Sequence, residues 1–142
     1  MRIELATAAA APEIHALLRA VGLPTEDLST SPVRFWVARE GESLAGAVGV
    51  EPYGDAGLLR SLAVDPSHQG LGTGSALVQA LELAMQAEGL KTVVLLTQTA
   101  ESFFVKCGYT LIPRGQVPEQ IRQTAEFRSL CPATAACLSK AL

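Results

Sequence analysis

The sequence lacks an excess of positive charge, a long apolar run and any close pair of cysteines, and each absence removes a class of protein. Lys and Arg number 11 against 14 Asp and Glu, a net charge of −3. The basic surface that neutralises nucleic-acid phosphates is therefore not expected. Nowhere do about 18 apolar residues run uninterrupted, the length a membrane-crossing helix needs. The amino terminus sets Arg2 and Glu4 in an alternating segment instead of the basic-then-apolar layout of a secretory leader. These features predict a cytoplasmic protein with no nucleic-acid or membrane partner. Cys107, Cys131 and Cys137 are widely spaced, and no histidine lies near them in sequence to complete a zinc site. Reduced thiols and no metal are expected. What is present is apolar material, 49% of 142 residues, enough for one buried core and hence a single domain over residues 1–142.

Ile3 to Ala6 reads as a short strand, and Ile14, Leu17, Leu18 and Val21 then recur at helical spacing until Gly22 and Pro24. Val33 to Arg39 and Ser43 to Val50, joined by Glu40-Gly41-Glu42, read as a hairpin. Leu58 to Val64 adds a third strand ending at Asp65-Pro66. From Gly74 to Glu88 a helix carries Leu77, Leu81, Ala84 and Met85 on one face and closes at Gly89. Lys91 to Thr97 is a continuous apolar strand of the kind covered on both faces. A short helix from Ala100 to Lys106 leads through Gly108 into an extended Tyr109 to Ile112, and Ala133 to Leu138 is a final strand. The sum is one α+β domain with helices on both faces of a mixed central sheet of about seven strands.

Between the strand ending at Val64 and the helix starting at Gly74 lies Ser67-His68-Gln69-Gly70-Leu71-Gly72-Thr73-Gly74. Glycines let a backbone approach phosphate oxygens, and the free amides of a helix start favour negative charge. Two familiar nucleotide loops fail here. A Walker A loop needs Gly-Lys-Ser/Thr, whereas Gly74 is followed by Ser75. A dinucleotide fingerprint follows the first strand of a parallel unit, whereas this loop follows the fourth extended segment. What remains is a Gln/Arg-x-x-Gly-x-Gly/Ala loop.

With Ser61-Leu62-Ala63-Val64-Asp65-Pro66 before it and Phe103-Phe104-Val105-Lys106-Cys107-Gly108-Tyr109 after it, Gln69-Gly70-Leu71-Gly72-Thr73-Gly74 resembles the GNAT acetyltransferase superfamily. The resemblance implies the GNAT (acyl-CoA N-acyltransferase) fold and acetyl-CoA as co-substrate. It implies that the backbone of Leu62, Ala63 and Val64 pairs with the pantetheine arm like an added strand. Gln69, Gly70, Leu71, Gly72, Thr73, Gly74 and Ser75 would cradle the diphosphate. A splay toward Lys91 to Thr97 would admit the thioester, and Phe103, Phe104 and Lys106 would cover the far side. The stretches Glu51 to Gly54, Gly57 to Val64 and Thr124 to Pro132 look like small GNATs of bacterial arsenic-resistance operons, which resemble amino-acid N-acetyltransferases of the N-acetylglutamate synthase type. That implies a small-molecule amine acceptor, an amino acid or an organoarsenical analogue. Arginine suits its carboxylates, and Arg60, Ser61 and Arg128 are the candidate substrate residues. Arg114 and Arg122 share the tail, and for all three tail arginines a solvated surface place is the plain alternative.

Two groups the family often uses are missing: the position ahead of Arg60 is Leu59 where an acidic base is common, and Phe104 stands where a tyrosine acid is common. Glu51 is then the candidate base, with Asp55 beside it, and Tyr53 is a candidate acid. Thr97 could hold an ordered water, and the backbone N–H near Leu62 could face the thioester oxygen. Tyr109, Trp36 and Cys107 read as packing residues, Cys107 because no histidine is near to activate it. A CoA-binding sensor without turnover, or a metalloid binder using the cysteines, are the readings from other classes. The sequence leaves monomer and homodimer both open.

Overall fold

The computed structural model describes residues 1–142. The strands are β1 (Arg2–Leu5), β2 (Arg34–Glu40), β3 (Ser43–Tyr53), β4 (Ala56–Val64), β5 (Thr92–Thr97), β6 (Thr110–Leu111) and β7 (Ala136–Ala141). They form one seven-stranded sheet in the order β1-β2-β3-β4-β5-β7-β6. Every neighbouring pair is antiparallel except β4 and β5, which are joined through helix α2 (Thr73–Ala87). A parallel pair needs such a crossover. The expected α+β architecture is thus the observed one.

Helices cover both faces because the strands are apolar on both. On one face Leu77, Val78, Leu81 and Met85 of α2 bury against Trp36, Val48, Val50, Leu59, Val93 and Leu95, joined by Phe104 of α3 (Glu101–Lys106). On the other, Ile14, Leu17 and Leu18 of α1 (Ala11–Ala20) meet Val37, Ala47 and Ala63. Further along this second face Ile121 of α4 (Glu119–Arg122) packs with Leu58, Val94 and Cys137. Gly89, at φ 92°, reverses the chain after α2.

The last two strands differ from expectation. β7 runs Ala136–Ala141 instead of Ala133 to Leu138, because Pro132 is followed by a turn and because pairing with β5 sets Ala136 opposite Thr97 and Ala141 opposite Thr92. Ser139 and Lys140 hid this strand from an apolar reading; Lys140 Nζ donates to Glu82 at 2.9 Å and to the Cys107 carbonyl at 2.8 Å. β6 shrinks to an edge pair, Thr110–Leu111.

Two features of β4 position the site. Ala56, Gly57 and Leu58 pair with Thr92, Val93 and Val94, and beyond Leu58 the pairing stops while β5 continues along β7 to Thr97. In β3, Ala47 pairs with Ala63 but Gly49 with Arg60, so β4 holds one extra residue there. Within that bulge Ser61, at φ 59°, is the one non-glycine with positive φ. Bulges bend a strand and re-aim its side chains, and a backbone strained in this way often marks a functional site.

Candidate active site

The wedge between β4 and β5 opens into a cavity of about 320 Å³. Leu59, Arg60, Ser61 and Leu62 form its β4 wall and Leu95, Leu96 and Thr97 its β5 wall. Val21 to Pro24, Gln98, Thr99, Phe104, Glu126 and Cys131 are among the other lining residues. A second cavity, of about 280 Å³, lies between α1 and the β1–β2 edge and is mostly apolar.

The glycine loop leaves β4 beside this wedge. Gly70 (φ 81°) and Gly72 (φ 80°) are left-handed, and a Cβ on either would meet nothing within 4 Å. They are glycines for backbone conformation, not for lack of space. Their turn leaves the N–H groups from Gln69 to Ser75 without any acceptor in the protein; the first amide past the loop to be paired is Ala76, to the Gly72 carbonyl at 3.0 Å. A run of free amides at the start of a helix of this length is a cradle for an anion. The CoA diphosphate fits this donor set. Behind the loop, Phe103 lies 3.3 Å from where a Cβ on Gly74 would be, so a side chain at residue 74 would crowd the contact between α3 and the α2 start. The Gln69 side chain donates back to the Val64 carbonyl at 3.2 Å and holds the loop to the strand end.

On the opposite side of the wedge is a buried charge cluster that the sequence does not announce. The Arg60 side chain is 0% exposed. Its Nη1 donates to Asp27 at 2.6 Å and to Glu51 at 2.9 Å, its Nη2 to Asp27 at 2.9 Å, and its Nε to Ser61 Oγ at 3.2 Å. Glu126 Oε1 lies 3.7 Å from Nε. Burial disfavours the guanidinium's charge, but the carboxylates outweigh that and its pKa is raised. Burial likewise acts to raise Asp27, and the bonds from Arg60 and Ser31 bring it below the usual carboxylate range. Glu126 goes the other way. Burial pushes it up to about 7, the attraction of Arg60 being countered by Glu51 and Asp27.

The family follows from the chain segment that builds this wedge. Residues 31–111 match the model of the acetyltransferase (GNAT) domain, more than half of the chain. The chain belongs to the GNAT acetyltransferase family. The same fold recurs in N-acetylglutamate synthase from Neisseria gonorrhoeae, complexed with coenzyme A and N-acetyl-glutamate, at 20% identity and a TM-score of 0.85. That match covers 99% of this chain and 35% of the synthase, so the GNAT domain spans about a third of the longer protein. Rv2747 of Mycobacterium tuberculosis, complexed with CoA and NLQ, is 24% identical with a TM-score of 0.83, over 100% of this chain and 99% of that one. A GNAT-family acetyltransferase from Staphylococcus aureus is 16% identical with a TM-score of 0.80, over 99% and 98%.

Of the candidate residues in this GNAT domain, Leu62, Ser61, Arg60, Thr97 and Phe104 share the wedge. Ala63 and Val64 continue β4 toward the loop. Thr97 Oγ1 accepts the Ala100 N–H at 3.0 Å, tying the end of β5 to the start of α3. Phe104 is 4% exposed and stacks edge-on with Phe103 and Tyr109. Lys106 is exposed on α3. Glu51 is buried, pairs with Arg60 and receives the Tyr53 hydroxyl at 2.5 Å, which with burial raises that phenol's pKa. Neither Glu51 nor Tyr53 lines the cavity, so both stand behind Arg60. Asp55 is an exposed turn residue whose carbonyl receives the Lys91 N–H. Arg128 is exposed and outside the cavity wall. Tyr109 is 1% exposed and donates to Glu82 at 2.9 Å.

The cysteines do not meet. Cys131 is in the cavity wall, Cys137 on β7 and Cys107 at the end of α3, and no group of metal-binding side chains forms. Burial raises the pKa of each, that of Cys131 to about 11, so none is an activated thiolate. No helix is long and apolar enough to cross a membrane.

Two residues escaped the sequence reading. Asp27 lies in an unremarkable Thr-Glu-Asp-Leu-Ser-Thr turn, and only folding brings it to Arg60. Glu126 stands in the tail stretch that carries the finer resemblance, and a role for it could have been asked of the acidic residue there.

Proposed function

We propose that this GNAT domain transfers the acetyl group of acetyl-CoA to the amine of a small molecule of amino-acid size by direct attack. The observation that carries this is the row of unpaired amides from Gln69 to Ser75 opening beside the β4–β5 wedge. The loop would hold the diphosphate, and the unpaired edge of Leu62, Ala63 and Val64 would receive the pantetheine amides. Phe103, packed behind Gly74, backs the cradle. Next to the bulge at Ser61, the Leu62 N–H would donate to the thioester carbonyl oxygen as negative charge develops there. CoA is a tolerable leaving group, so no dedicated side-chain acid is needed for its sulfur.

The cavity's size and its polar lining, Ser61, Thr97, Gln98 and Thr99, favour an amino acid or an amino-acid analogue, the class to which organoarsenical acceptors belong. Among its lining residues Arg60 is the one cation, and it is already held by the protein's own carboxylates. A second acidic group on the acceptor would therefore meet no free partner, and neutral amino acids are favoured over glutamate-like ones. Arg60 then serves as the post that fixes Ser61 and Glu126, not as the acceptor's ligand.

Thiol release from acetyl-CoA, measured against a panel of neutral and acidic amino acids and an organoarsenical glutamate analogue, tests this. Turnover of neutral acceptors, lost in Gly72→Glu because a like charge enters the anion cradle, is expected. CoA binding without turnover on any amine would favour the sensor reading. Turnover restricted to acidic acceptors would return Arg60 to the acceptor site.

A further inference from the structure

Glu126 combines three properties found together nowhere else in the chain. It lines the wedge cavity, it is 5% exposed, and its Oε2 is the single buried side-chain oxygen or nitrogen with no hydrogen-bond partner. A buried carboxylate oxygen left without a donor costs on the order of 1–3 kcal/mol or more, and no donor in the protein reaches Oε2. A π-type turn, Glu126–Leu130, presents the residue; such turns are frequent at functional sites. Its Oε1 faces Arg60 at 3.7 Å. The charged or titratable groups around it are Arg60 on β4, Glu51 on β3, Asp27 in the segment after α1, and Cys131 just beyond its own turn. With Arg60 shared among Asp27, Glu51 and Glu126, the cluster has more carboxylate than cation, and what would complete it is one positive charge at Oε2.

We propose that Oε2 of Glu126 receives the acceptor's ammonium group and takes its proton. This rests on the acetyl-transfer reading above and names the base that reading lacks. The ammonium gives one proton to the Glu126 carboxylate, and the freed nitrogen lone pair forms the N–C bond to the acetyl carbonyl carbon as the C–S bond breaks. The second nitrogen proton goes to the departing thiolate, and Glu126 returns its proton to solvent through the cavity mouth. The products are the N-acetylated amine, CoA thiol and one proton. A base whose affinity for protons is near neutrality suits this task, and burial places Glu126 there. The positive charge Oε2 selects is an ammonium, so in the amino-acid reading it is the acceptor's α-ammonium that meets Glu126, with the acceptor's side chain toward Leu23 and Leu96 of the same cavity.

The test uses full-length Glu126→Gln, with whichever amino acid of the panel the wild type turns over. We expect kcat to fall at least 100-fold at pH 7 with CoA affinity, read by calorimetry, unchanged, and the acidic limb of the kcat/KM profile to vanish. Hydroxylamine, unprotonated at neutral pH, needs no base, so as acceptor it should be used by variant and wild type within about threefold. Wild-type kcat and an unaltered pH limb in the variant would overturn the proposal while leaving acetyl transfer standing. Equal loss with hydroxylamine would overturn it as well, by assigning Glu126 a structural role. A wild type that neither binds CoA nor releases thiol would remove both readings.

Discussion

Along β4 the first residues, Ala56 to Leu58, lie in register with Thr92 to Val94, whereas from Leu59 onward the strand has no neighbour on that side. At the closed end Leu58 is fully buried among Val94, Ile121 and Cys137, and packing alone accounts for its position. At the open end Arg60 is as deeply buried but is surrounded by carboxylates, and Ser61 next to it has a strained backbone. Apolar side chains of similar volume often hold such a place equally well, because desolvating buried charges offsets much of what their pairing returns. A buried ion cluster and a positive-φ serine thus meet at the point where two strands part, and neither is a feature that packing requires.

Substitutions at the two ends should separate packing from charge. Arg60→Met, the largest, leaves Asp27, Glu51 and Glu126 without their cation and should cost about 4 kcal/mol at pH 7. The paired Asp27 has a lowered pKa, so the stabilisation it lends is complete above the ordinary aspartate range and lost as pH falls below it; the penalty, read by urea unfolding, should be smaller at pH 3 than at pH 7. Leu58→Ala at the closed end should cost about 3 kcal/mol, equally at both pH values, with CoA affinity untouched. A cost that varied with pH there would break the contrast.

Glu126→Gln comes next and has the opposite sign. The folded state holds this proton to about pH 7, while the unfolded chain releases it in the ordinary glutamate range. Stability is therefore lost as pH rises between those values, and the variant should be more stable than wild type by on the order of 2 kcal/mol at pH 8 and equal to it at pH 4. Gly72→Ala is the smallest: no atom obstructs a Cβ, so only the left-handed backbone is penalised, by about 1 kcal/mol.

The sequence discloses what is contiguous. The run from Ser61 to Gly74 and the crossover through α2 could be read from neighbours in the chain, because glycine spacing and helical periodicity are local properties. Arg60 was noticed for being a charge between leucines, yet its partners come from positions 27, 51 and 126, and no spacing rule links them. The absence of an acid at Leu59 directed attention to Glu51, which lies on the same face of the sheet but behind Arg60. The β4 bulge was invisible, since serine carries no signal for positive φ. β7 was displaced because its polar Ser139 and Lys140 belong to a strand that lies between β5 and β6, where an apolar reading could not place them.

The cradle can be examined amide by amide. When CoA is titrated into the 15N-labelled protein, the backbone resonances from Gln69 to Ser75 should move furthest and saturate together, and those of Ala56 to Leu58 should stay in place. If CoA binds and the loop amides do not respond, the anion lies elsewhere and the assignment of the wedge as an acetyl-transfer site falls with it.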